Sequence, residues 1–408
     1  MLLGPKTPTM NGAAMDGASR PGILLSGGLD SSNLAARAVD ALPRGERLPT
    51  FTFLPASDWQ GEAPPRQYAS EYAKVEGFCA SHAALVPTFV ASDTRTLDAD
   101  WDAVFAAIGC APPGLVNVGP YHGLFAAARD AGCDLLLSAE TGNLSISIAG
   151  EWAAAEYLRN GRLRQSWSAA QQGEAPSIRK WLRHAVAAQL PDLAWRIWQQ
   201  IKGNRATSAQ DRIAPISIEA RESHDLRSRA IAGGSYHLRQ FPASRAAWLA
   251  DNFRRGDMGA GEVELAFEQI YGIRQRDVCA YRPLVEFCLS LPTRMFVTDG
   301  EDRRLARALG RGMMPEEQRL DRRVGAHQPD WHHRLTPHIP QWQDEFSAMS
   351  ARKELRALFD FDEIAARIGD WPASERQDDE ALYRYAMGVP IAMMTMRFVR
   401  RVQGWNSP

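Results

Sequence analysis

The sequence predicts an α/β fold: a mostly parallel sheet, followed by a large helical C-terminal region. Three observations predict it. Short apolar runs alternate with helical patterns between residues 21 and 150. Strand signals vanish after about residue 150. A glycine-rich turn joins the first strand to the first helix. Strands alternating with helices mean βαβ units and parallel pairing.

Gly22-Ile23-Leu24-Leu25 is short, apolar and a buried-strand candidate, and Ser31 to Leu42 has a helical pattern. Leu48 to Leu54 (LPTFTFL) is rich in β-branched and aromatic residues and predicts a second strand. Arg66 to Ser81 predicts a helix, Ala84 to Phe89 a third strand, Gly119 to Ala131 a helix and Cys133 to Ser138 a fourth strand. Beyond Gly150, Leu193-Ile197-Ile201 has helical spacing and tryptophans cluster at Trp181, Trp195 and Trp198. Gly233-Gly234 marks a turn, and Leu382 to Val399 predicts a helix near the C-terminus. Residues 1–20 carry no periodicity and read as a flexible tail. The chain thus divides into that tail, an α/β unit at 21–150, a helical insertion at 151–260 and a helical completion at 261–408.

Bulk composition sets limits. There are 47 basic and 48 acidic residues, so no basic field recruits nucleic acid. The five cysteines show no CxxC spacing, which argues against a disulfide framework or structural zinc. No run of about 18 apolar residues predicts a membrane span. A cytoplasmic location is expected. His122 reads as structural. His327, His332 and His333 with Asp330 form a weak metal candidate, and Cys110 and Cys133 read as small core residues.

The chemistry is concentrated in Ser26-Gly27-Gly28-Leu29-Asp30-Ser31-Ser32, directly after a strand and before a helix. Two glycines let the backbone approach a ligand closely. Their N–H groups can form an anion nest, and the helix start favours phosphate. Ser31 and Ser32 place hydroxyl donors there. Asp30 would repel a bare phosphate, so it points to a bridging Mg²⁺. The string fits neither GxxxxGK[ST] nor GxGxxG, which sets aside the P-loop NTPase and Rossmann readings.

SGGLDSS resembles the PP-loop of the N-type ATP pyrophosphatases, and of the asparagine synthetase family in particular. The resemblance spans roughly residues 20–340 and implies an adenine nucleotide alpha hydrolase-like domain. It implies ATP contacts at Leu25, Ser26, Gly27, Gly28, Leu29, Asp30, Ser31, Ser32, Phe53 and Ser138. A second segment, Leu135 to Asn143 (LLLSAETGN), resembles the family's LSGEGADE stretch. It implies that Glu140 deprotonates the incoming amine. The family's metal-binding Asp falls on Asn143, which with Asp30 would hold Mg²⁺, and the next Glu falls on Leu144. Arg276 to Pro292 resembles a helical family region in which Leu284, Val285, Phe287, Leu289 and Leu291 read as core. Arg319 to Trp331 resembles the loop whose lysine contacts pyrophosphate. No lysine lies between Lys202 and Lys353, so Arg322 or Arg323 would serve.

The resemblance implies a ligase that adenylates a carboxylate, releases AMP and pyrophosphate, and passes the acyl group to ammonia or an amine. The family's N-terminal glutaminase domain has no counterpart ahead of residue 26, so either ammonia or an amine is expected to arrive from solution or from a partner such as a glutaminase, or the chain is a truncated gene product. Two alternatives stand beside this reading. One is a lasso-peptide macrolactam cyclase, with a peptide carboxylate substrate and a peptide-processing partner. The other is a nucleotide-binding module without turnover, suggested by Asn143 and Leu144.

Overall fold

A computed structural model describes residues 17–94, 100–111, 118–150, 152–171, 175–191, 194, 213–226, 228–229, 242–254, 258–326 and 328–404. Most of the expected tail, the 193–201 pattern with Trp195 and Trp198, the Gly233-Gly234 turn and His327 lie outside the described residues.

Five parallel strands form the central sheet: β1 (Pro21–Leu24), β2 (Leu48–Leu54), β4 (Leu85–Ala91), β5 (Leu135–Ser138) and β6 (Arg274–Asp277), in the order β4-β2-β1-β5-β6. The central strands are apolar because a parallel sheet is covered on both faces. In β5, Leu136 points to one core, with Phe51, Phe125 and Trp331. Leu135 and Leu137 point to the other, with Ile23, Trp152 and Phe296. This one-residue alternation shares a run of leucines between the two layers.

The first helix, Leu29–Ala41, buries Leu34, Ala35, Ala36 and Ala38. It stops where Leu42 precedes Pro43, a position that disfavours helical backbone. Helices Tyr72–Ala80, Trp101–Ile108 and Val118–Asp130 follow within the α/β unit, and short helices such as Ala153–Arg159 and Leu163–Gln171 come after it. The C-terminal part contributes Met258–Tyr271, Arg282–Ser290, Arg304–Leu309, Glu316–Leu320 and Trp331–Leu335. A π-helical turn, Leu382–Met387, leads into the helix Gly388–Val402.

Three expectations are corrected. Arg66–Ser81 is not one helix: Gln67–Tyr68 is a short strand, β3, paired in parallel with β7 (Val324–Gly325). Helical backbone begins only at Tyr72. Strands do not end at residue 150, because β6 joins the sheet edge beside β5. Finally, Leu289 is 39% exposed, while Val285 is buried and Leu284, Phe287 and Leu291 pack partly against the core.

Candidate active site

In the strand order, β1 leads outward through β2 and β4 on one side, and β5 and β6 lie on the other. The connections therefore diverge at the β1/β5 pair. A crevice opens at such a switch point, beyond the strands' carboxyl ends. The SGGLDSS turn leaves β1 there, and the Ala139–Leu144 loop leaves β5 beside it.

The turn is held from inside. The Ser31 hydroxyl donates to the Ser26 carbonyl (2.9 Å) and accepts from the Ser26 amide (3.0 Å), and the two hydroxyls lie 2.8 Å apart. Thr52 donates to the Leu25 carbonyl (2.7 Å). From the Glu316–Leu320 helix, buried Gln318 donates to the Gly27 carbonyl (3.2 Å) and to the Ser32 hydroxyl (2.9 Å). Ser31 and Ser32, expected to offer hydroxyls outward, are buried and bonded within the turn. Leu25 and Leu29 are likewise buried, so they shape the turn through the core. Ser26 is exposed, and Gly28 is the helix N-cap residue, with no side-chain cap bond.

The Gly27 amide donates to the carboxylate of Glu71, just before the Tyr72–Ala80 helix. Burial raises the Glu71 pKa, partly offset by the Gly27 amide, Lys74 and the Tyr68 hydroxyl. A Cβ at Gly27 would lie 2.7 Å from the Cβ of Lys74, so only glycine fits beneath that lysine stem. Lys74 Nζ sits 2.7 Å from Asp321 Oδ2 and 3.7 Å from the centroid of the Tyr68 ring. Arg323, exposed, grips the same Asp321 (3.0 Å), and Arg322 beside it is also exposed. Burial alone would raise the Asp321 carboxyl, but its bonds to Arg323 and Lys74 hold it well below the usual range.

Asp30 lies at the start of the first helix. Its Oδ2 accepts from Ser147 (2.7 Å), and the same hydroxyl lies 3.4 Å from Asn143 Oδ1. Asp30 Oδ1 is buried without a hydrogen-bond partner, and desolvation raises the carboxyl's pKa. Among the described residues no group of three or more His, Cys, Asp or Glu side chains converges as a metal cage. A carboxylate with one orphaned oxygen, linked to an amide oxygen through the shared Ser147 hydroxyl, nevertheless fits Mg²⁺, which takes one or two protein oxygens and fills its octahedron with water and phosphate. Gly142 closes over Asp30: a Cβ there would meet Asp30 Cγ at 2.3 Å.

Glu140 opens the β5 loop. It accepts from the Tyr121 hydroxyl (2.6 Å) and from Gln275 Nε2 (3.3 Å), and Gln275 also reaches Glu264 (3.5 Å) and buried Ser138 (3.4 Å). Desolvation, with Asp277 nearby, raises Glu140 despite the Tyr121 bond. Glu264 is pushed up to about 7 by burial and by Glu140 and Asp277. Asp277 fixes the loop by accepting from the Thr141 amide (2.6 Å) and hydroxyl and from the Cys279 amide (2.9 Å). Phe53, on β2, is partly buried and packs against the core.

The described histidines of the candidate set lie elsewhere. His122 is buried and bonded to the Tyr271 hydroxyl (2.7 Å). His332 bonds the Pro372 carbonyl (2.7 Å) and His333 bonds Asp58 (2.9 Å), while Asp330 anchors Ala56 and Ser92. They do not converge on one point. Sequence reading missed Tyr68, Glu71, Lys74, Tyr121, Ser147, Glu264, Gln275, Asp277 and Gln318. Only Asp277 had a local signal, an Asp two residues ahead of the amide that it caps.

A parallel sheet with this loop and helical cover defines a PP-loop α/β protein. A family model described as asparagine synthase matches residues 13–226 and 279–397, more than half of the chain. The chain therefore belongs to the asparagine synthase family, whose members bind ATP and act as ATP-dependent ligases. The match includes residues 151–226, within the helical insertion. No curated protein matches the chain. Among the described residues, no helix is long and apolar enough to cross a membrane.

Proposed function

We propose that the chain forms amide bonds by adenylating a carboxylate. A substrate carboxylate oxygen bonds to the α-phosphorus of ATP, and the bond to the β-phosphate side breaks and releases pyrophosphate. An amine nitrogen then bonds to the acyl carbon, and AMP leaves. The observation that carries this reading is the placement of the SGGLDSS turn and Glu140 on adjacent strand ends at the switch point.

Gly27 and Gly28 offer backbone to the outer phosphates, with Arg322 and Arg323 at the rim. Asp30 and Asn143 would hold Mg²⁺, which neutralises phosphate charge when bound. Glu140 accepts the amine proton, and its raised pKa brings it nearer the working pH of a general base. A glutaminase or peptide-processing partner would supply the amine or the peptide.

The test is incubation with α-labelled ATP and a panel of carboxylates, aspartate and acidic peptides included, with and without ammonia. AMP and pyrophosphate–ATP exchange are expected. ADP as the product, or silence across the panel, overturns the reading. One observation favours a second reading, binding without turnover: Asn143 brings no charge to the cation. Calorimetric ATP binding with no AMP release would identify it.

A further inference from the structure

The amide at the heart of the proposed phosphate nest is bonded to one of the protein's own carboxylates. Glu71 accepts from Gly27 N–H and bonds the Tyr68 hydroxyl. Its Oε1 lies 2.5 Å from where a Cβ at Gly325 would stand, so β7 presses on it with bare backbone. An internal anion thus sits where the reading above puts a phosphate oxygen. One helical turn on, the Lys74 stem packs against Gly27 and its ammonium rests on Asp321.

We propose, on the strength of that reading, that Lys74 is a phosphate-binding residue of the nucleotide site and that Glu71 is its internal stand-in ligand. When pyrophosphate or ATP arrives, the Glu71 carboxylate leaves the Gly27 amide and the Lys74 ammonium turns toward phosphate.

Three physical points support the exchange. Two like-charged acceptors cannot share one amide in a site shielded from water, so phosphate entry requires Glu71 to move. An ammonium has three donors, so Lys74 can bond phosphate without first losing every other contact. Asp321 is not stranded when Lys74 turns, because Arg323 holds both its oxygens, at 3.2 and 3.0 Å.

The test is isothermal calorimetry of pyrophosphate and of ATP, each with Mg²⁺, on the full chain. Wild type, Glu71→Gln, Lys74→Gln and Lys74→Arg are compared at two salt concentrations, with circular dichroism confirming the fold. Losing a charge-assisted bond should weaken pyrophosphate binding by Lys74→Gln about tenfold to a hundredfold and flatten its salt dependence. Lys74→Arg should recover part of the loss. Glu71→Gln should tighten pyrophosphate binding about threefold to tenfold, because a like charge is gone. Wild-type affinity in Lys74→Gln, or weaker binding in Glu71→Gln, overturns the assignment and leaves the nucleotide reading intact. A wild type that binds neither pyrophosphate nor ATP sinks both.

Discussion

Replacing Gly142 with alanine tests how Asp30 is held. The new Cβ would lie 2.3 Å from Asp30 Cγ and 2.6 Å from Oδ1, where ordinary contact begins at 3.4 Å. The carboxyl group must therefore retreat by about 1 Å. Retreat breaks the 2.7 Å bond from Ser147 and leaves a buried carboxylate with fewer partners. Overpacking costs about 1–3 kcal/mol, and a lost bond to a charged group a similar amount. The expected destabilisation is about 2–4 kcal/mol, read from urea unfolding by tryptophan fluorescence. If Asp30 holds the cation as proposed, the rise in melting temperature with Mg²⁺ and ATP should shrink as well. Gly77→Ala is the matched control. Gly77 lies inside the Tyr72–Ala80 helix, with nothing within 4 Å of an added Cβ. That change should stabilise by about 0.5–1 kcal/mol. If Gly142→Ala unfolded at the wild-type midpoint with unchanged ATP stabilisation, Asp30 would not be clamped as described.

Three further outcomes are expected. Glu140→Gln should lower turnover about 10²–10⁴-fold, with ATP affinity kept within a few-fold; single-turnover AMP formation separates the two, and full activity would remove Glu140 as the base. Gln318→Leu leaves the Gly27 carbonyl and the Ser32 hydroxyl short of a buried partner and should cost about 1–3 kcal/mol in urea unfolding; no change would mean that the turn is braced from elsewhere. Glu264, at about 7 when folded against 4.5 when free, keeps a proton in the native state that the unfolded chain has already lost. Its contribution to stability is complete below pH ~4.5 and is lost as pH rises to about 7. The urea midpoint of wild type minus that of Glu264→Gln should fall across that window, and parallel curves would refute the shift.

The central sheet was legible wherever burial dictated composition. Leu48–Leu54 was read to the residue, because its threonines and phenylalanines are β-branched and aromatic residues that mark a strand locally. β6 was invisible because Arg274-Gln275-Arg276-Asp277 lies at the sheet edge, half-buried, and owes its extension to backbone pairing with β5. β3 was misread because a two-residue strand is specified by its partner β7, far along the chain. The site divides in the same way. The backbone turn and its Asp were legible because their chemistry is contiguous. Glu71, Lys74 and Gln318 were not, because each lies in a helix or at its start, where the local pattern says nothing of what the side chain faces. Lys74, which shares Asp321 with Arg323, was overlooked because it comes from a helix about 250 residues earlier in the chain.

The late arrival of β6 has a consequence for biosynthesis. The β5 loop is pinned by Asp277, on the strand that closes the sheet, and the turn after β1 is braced by Gln318. A nascent chain that has emerged only to residue 150 has every residue of the turn but neither of these braces. At ordinary elongation speed the missing parts follow on the order of ten seconds later. Until then the half-built sheet exposes the β5 edge, and each apolar core lacks the side chains that the later helices supply.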